Sequence, residues 1–141
     1  MVIHEYAHGI SDRLTGGPAT ASCLNTVEAR GMGEGWSDFM AMFSWPRSPT
    51  LPPPKSYRRV CLKTTQKGIR TRPIHHQYDV NPFDLWHLKT RKGFHAIGEV
   101  WASMLWEVYW NLVTKHGFAK NLYKAEQSEG NIVAMRLLLV E

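Results

Sequence analysis

Cysteine is scarce, with Cys23 and Cys61 the two in 141 residues. Two do not define a disulfide framework, and separation in sequence does not show that they meet in space, so cysteine usage leaves the redox compartment open. Long apolar runs are absent too. No stretch approaches the roughly 20 residues that cross a bilayer, which excludes a membrane-spanning helix in the visible sequence. No leader of charged, apolar and small residues opens the chain. With Met1 only three residues before His4, any targeting segment upstream is outside what this sequence displays. No internal repeat recurs.

Acidic residues are the minority, 12 against 17 Lys and Arg, for a net charge of +5. The excess is concentrated between Lys55 and Arg72, where seven Lys or Arg occur without an acid. A basic face attracts polyanions, but no interleaved aromatics or finger spacing accompany this one, and it reads as a solvated loop. Neither nucleic acid nor membrane is an expected partner. The length and a hydrophobic content of 43% suit one modest domain with a single core.

What is present is mainly helical. Ile3, Ala7, Ile10 and Leu14 recur at helical spacing, and Gly16, Gly17 and Pro18 stop the pattern. A second helix is expected from Asn25 to about Trp45, with Asn25 as N-cap and Glu28 as its capping-box partner. Pro46 to Pro54 holds five prolines in nine residues and reads as a connector. Residues 55–94 lack periodicity, apart from a short strand expected near Arg59–Leu62. Between Ala96 and His116, Ile97, Val100, Trp101, Met104, Leu105, Val108 and Leu112 mark the longest helix, with Gly117 to end it. Trp106, Tyr109 and Trp110 widen its apolar surface, so it is expected to be central and buried. A further amphipathic run covers Ile132 to Val140.

The chemistry sits in HEYAH, residues 4–8. Residues four apart on a helix are rotated by about 40° and separated by about 6 Å, so His4 and His8 present imidazoles on one face, one turn apart. Two such nitrogens can converge on one zinc ion, which in a catalytic site takes three protein ligands and acidifies a water in the fourth position. Glu5 can take that water's proton and later deliver one to the leaving amine. With this composition HExxH arises by chance about 0.02 times. The longer pattern HExxHxxGxxH fails, because Ser11 and Leu14 stand where Gly and His are needed.

A more distant ligand must therefore close the site, and Glu28 and Glu34 compete for the role. Spacing alone does not decide. Asp38, one turn after Glu34, favours Glu34, since it can accept the second ring N–H of a ligand histidine, whereas Glu28 is accounted for as a capping acid. Gly31, Gly33 and Gly35 are expected to let this helix come close to the first one. His75, His76, His87 and His116 have no comparable context and are read as surface or loop residues.

HEYAHGISDRLTGG (4–17), CLN (23–25) and GMGEGWSDF (31–39) together resemble the fungalysin family of secreted fungal metallopeptidases, relatives of the thermolysin-type gluzincins. KGIR (67–70), NP (81–82) and HAIGEVWASMLWEVYWNLVTKHG (95–117) extend the resemblance over the greater part of the chain, whereas 45–62 and 83–94 depart from it. The resemblance implies one zinc ion on His4, His8 and Glu34, Glu5 as the catalytic residue, and His95 as a group that holds charge developing on the attacked carbonyl oxygen. Read without it, His95 is a histidine at a helix start.

The fold class implied is mainly α: part of a thermolysin-like gluzincin catalytic domain, comprising a helix with HExxH, a helix with the Glu ligand and a long buried C-terminal helix. Residues 1–141 form one partial catalytic domain with an irregular Pro-rich and basic insertion at about 45–72. The family's signal peptide, propeptide and upstream sheet-containing part are absent from this sequence. The expected function is a secreted, extracellular zinc metalloendopeptidase with protein or peptide substrates, and in full-length relatives a propeptide inhibitor. The alternative is a truncated, inactive zinc-binding paralogue or fragment, which a peptidase assay separates from the first.

Overall fold

Helix α1 spans Val2–Gly16, and its end follows from the residues after it: Gly17 has φ +77°, a conformation in which any side chain would be strained. Of the expected inward residues only Ala7 is fully buried; Ile3 and Leu14 remain 44% and 42% exposed. The computed structural model describes residues 2–44, 70–72, 74 and 81–139. The Pro-rich stretch, the strand expected near Arg59–Leu62, Cys61, His75 and His76 lie outside those residues. Helix α2 is Val27–Phe43, one residue later in its start than Asn25 as cap would give. Thr26 takes the N-cap instead, its Oγ1 accepting from Ala29 N at 3.2 Å. Glu28 therefore falls one place short of the capping-box position and stands in the first turn, where its charge complements the helix dipole.

A short 3-10 helix, Leu85–Lys89, sits in the segment expected to be irregular. It is held by a capping box between Asp84 and His87, a local pairing that leaves no periodic signal. Helix α3 spans Phe94–His116 between Gly93 and Gly117, both at positive φ. Helix α4 is Gly130–Leu139, two residues earlier in its start than the apolar run suggests. The described residues contain helices and no strand, so the chain is mainly α.

Helix α2 packs against α1 on one side and α3 on the other, and α4 lies on α3. The core gathers Phe39 and Met42 of α2, Ala102, Trp106 and Tyr109 of α3, Ala134 of α4, and Ile74. Trp106 and Tyr109 stack with centroids 4.6 Å apart, and Phe39 meets each edge-on at 6.0 Å. These offset and T-shaped contacts suit the ring quadrupoles and account for the aromatics beyond a single stripe on α3. Val108 is 51% exposed, so α3 is central without being buried all round.

The α2–α3 seam is set by glycine. A Cβ on Gly31 would lie 2.4 Å from Ile97 Cγ2, one on Gly35 2.7 Å from Trp101 Cδ1, and one on Gly98 2.4 Å from Glu34 Cβ. Gly31 and Gly35 thus admit α3 rather than α1, contrary to the sequence expectation; Gly33 alone faces α1, 4.0 Å from His8 Nδ1 by the same measure. Buried Glu99 of α3 fastens the 70–72 segment, accepting from Thr71 Oγ1 at 2.9 Å, from Arg72 N at 2.5 Å and from Arg91 Nη1 at 2.6 Å. Neighbouring Arg70 is thereby held against α2.

Candidate metal centre

The α1–α2 contact brings His4, His8 and Glu34 together, one ligand atom of each lying within 4.8 Å of the others. His4 Nε2 and His8 Nε2 face each other at 3.2 Å. Glu34 presents Oε2 to His4 Nε2 and Oε1 to His8 Nε2, each at 3.6 Å. A tetrahedral zinc shell with bonds of about 2.0–2.1 Å separates its ligand atoms by about 3.4 Å, a spacing the two imidazole nitrogens match, and the carboxylate, with one oxygen turned to each, completes a donor set of the type zinc takes.

Around this triangle lies a buried set of charges. His4 Nδ1 is 2.9 Å from Asp38 Oδ1, with the ring turned off the straight line to that oxygen. Arg70 donates from Nε to Asp38 Oδ2 at 2.7 Å, from Nη2 to Glu34 Oε2 at 2.8 Å and from Nη1 to the His95 carbonyl oxygen at 3.1 Å. Burial disfavours charge on His4, yet contact with Asp38 and Glu34 raises its pKa from 6.5 to about 9. Burial likewise opposes ionisation of Glu34, but His4, Arg70 and the field of His95 lower its pKa from 4.5 to about 2. Asp38 is held below the ordinary carboxylate range by His4 and Arg70, against its own burial. Two carboxylates facing one guanidinium leave a residual negative charge, which a proton on His4 or a cation can balance.

The other sequence candidates fall at different distances from this cluster. His95 stands in the first turn of α3, its Nε2 3.4 Å from Glu34 Oε1 and its side chain 58% exposed. Glu5 is exposed on α1 and lines a separate depression with Tyr6, Gly9 and Arg13. Glu28 lies in the first turn of α2 and outside the cluster. His87 pairs with Asp84 at 2.9 Å, and His116 is the exposed last residue of α3.

Residues 1–140 match the family model described as Fungalysin metallopeptidase (M36). The chain belongs to the fungalysin family. It is 41% identical over 144 residues to Extracellular metalloproteinase 1 of Phaeosphaeria nodorum. It is 42% identical over 145 residues to Extracellular metalloproteinase mep of Aspergillus fumigatus. With Extracellular metalloproteinase 2 of Trichophyton rubrum the identity is 39% over 143 residues. Each alignment takes in 99% of this chain and 23% of the relative, so the chain spans about a quarter of the length of the curated relatives it matches. The fungalysin match runs through 45–62 and 83–94, the stretches that depart from the motif pattern. No described helix is long and apolar enough to cross a membrane.

Arg70 is the residue of this fungalysin cluster that sequence reasoning did not single out. It is one of seven cations in an acid-free run, and its partners are 32 and 36 positions away. Only its place at the end of KGIR, a segment resembling the family, set it apart.

Proposed function

We propose that this chain supplies the metal-binding and catalytic helices of a zinc-dependent metalloendopeptidase, acting on protein or peptide substrates outside the cell. The observation that carries the reading is the convergence of His4, His8 and Glu34, which offer one ligand atom each within 4.8 Å of one another. His4, His8 and Glu34 would hold one zinc ion. When bound, zinc supplies Lewis acidity, which brings water deprotonation toward neutral pH and polarises a carbonyl.

The protein's own groups do the rest. Asp38 fixes the His4 ring from behind, and Arg70 holds both carboxylates in place, so the ligand set is arranged before any substrate arrives. Glu5, exposed and adjacent in sequence to His4, takes a proton from the attacking water on its carboxylate and returns one to the departing amine nitrogen. His95, with its side chain largely open to solvent, donates toward the carbonyl oxygen as negative charge builds on it. The extracellular location rests on the names of the relatives.

The test is casein cleavage by residues 1–141 with zinc, compared with Glu5→Gln. The variant is expected to keep its zinc and lose about 10²–10⁴-fold in rate, the scale of a general base. Equal rates in the two proteins would refute the role of Glu5. Bound zinc with no cleavage by either would mean that these residues hold the metal without completing the cleft.

A further inference from the structure

Next to the ligand cluster, on its His8 side, lies a cavity of about 250 Å³ whose lining includes both His8 and Glu34. Leu24 and Phe94, each half-buried, give it apolar wall. Besides Glu34, the charged residues of its lining are Asp12, half-buried and one helical turn beyond His8, and Arg30, exposed in the first half of α2. Among the described residues, no hydrogen bond or ion pair engages the Asp12 carboxylate or the Arg30 guanidinium, and the two do not pair with each other.

With Glu34 taken up by Arg70 and, in the metallopeptidase reading, by the metal, Asp12 and Arg30 are the charges left to meet an occupant, and they are opposite in sign. An ammonium group gains from Asp12 and is repelled by Arg30, and a carboxylate meets the reverse. An aliphatic side chain takes water from both charges and returns no hydrogen bond. A carboxamide is neutral, with an NH₂ to donate to Asp12 and a carbonyl oxygen to accept from Arg30. Its methylene stem suits Leu24 and Phe94.

We infer that this cavity is a specificity subsite for a glutamine side chain of a peptide bound at the metal centre. The inference rests on the metallopeptidase reading and adds to it a substrate preference set by Asp12 and Arg30.

The experiment is calorimetric binding to zinc-loaded residues 1–141. The probes are peptide hydroxamates that place Gln, Leu, Glu or Lys on either side of the zinc-binding group. In one of the two series Gln is expected to bind about tenfold more tightly than each of the other three, the scale of a hydrogen bond to a charged partner. Asp12→Asn should move the Glu-to-Gln affinity ratio about tenfold toward Glu, and Arg30→Gln should move the Lys-to-Gln ratio by a similar factor toward Lys. Ratios that stay flat in the parent and in both variants overturn the subsite while leaving the metal reading intact. If no hydroxamate binds, the subsite falls, and the zinc content of the same sample decides the metal reading separately: zinc retained leaves it standing, and zinc absent overturns it.

Discussion

The His4 imidazole sits between Glu34 and Asp38, so a proton held there occupies the place a metal cation would take. Its folded pKa is raised from 6.5 to about 9, so in the metal-free protein its contribution to stability is complete below 6.5 and is lost as pH rises through 9. Glu34 works in the opposite sense: depressed from 4.5 to about 2, it contributes above 4.5 and fails as pH falls through 2. Zinc requires a neutral His4, so binding at pH 7.5 should release about one proton from that residue. Calorimetry in buffers of differing ionisation enthalpy measures the number; no release at pH 7.5 and strong release only above pH 9 would contradict it. Arg70 gives a second test. Its guanidinium spans Glu34, Asp38 and the His95 carbonyl, a fork that an ammonium cannot reproduce. Arg70→Ala should lower zinc affinity by about 10–100-fold, with Arg70→Lys restoring only part. Competition against a chromogenic chelator reads both, and unchanged affinity in Arg70→Ala would remove Arg70 from the site.

At the scale of the element, the site depends on how closely α2 approaches α3. A Cβ at position 98 would fall 2.4 Å from Glu34 Cβ, an atom fixed to the backbone, so a methyl there has no flexible group to displace. Gly98→Ala should destabilise the chain by about 1–3 kcal/mol and weaken zinc binding, because the helix that carries Glu34 must shift. Gly9→Ala provides the contrast: a Cβ there meets nothing within 4 Å, and alanine in a helix should stabilise by about 0.5–1 kcal/mol. Thermal melts separate the two, and equal effects would show that the glycine seam does not govern Glu34. The sequence reading that these glycines permit close approach holds, but it names α1 as the neighbour where Gly31 and Gly35 meet α3, since α1 and α3 both follow from pattern as helices and only packing chooses between them. The cap of α2 is Thr26 where Asn25 is expected, for a similar reason. Asn25 and Thr26 are adjacent and both suited to capping, and the choice lies in which oxygen reaches Ala29 N.

Across the whole molecule, the cluster draws on three segments: α1 supplies His4 and His8, α2 supplies Glu34 and Asp38, and Arg70 enters from a segment fastened to α3 by Glu99. The first two segments were legible because helical spacing converts sequence directly into a shared face. HEYAH sets its histidines one turn apart, and Asp38 follows Glu34 by one turn. Arg70 was not legible, because its partners are reached through tertiary packing. The same holds for Asp12 and Arg30, which stand on different helices and share a cavity only once α1 meets α2. The 3-10 helix escaped because its capping box is too short to show as periodicity. Every role assigned to these residues requires one zinc ion held by His4, His8 and Glu34, and the direct measurement is the metal content of purified residues 1–141 after zinc loading. One equivalent per chain is expected, lost in Glu34→Ala and kept in Glu28→Ala. Less than about half an equivalent under metal-replete conditions, or zinc that survives Glu34→Ala and disappears in Glu28→Ala, would contradict it.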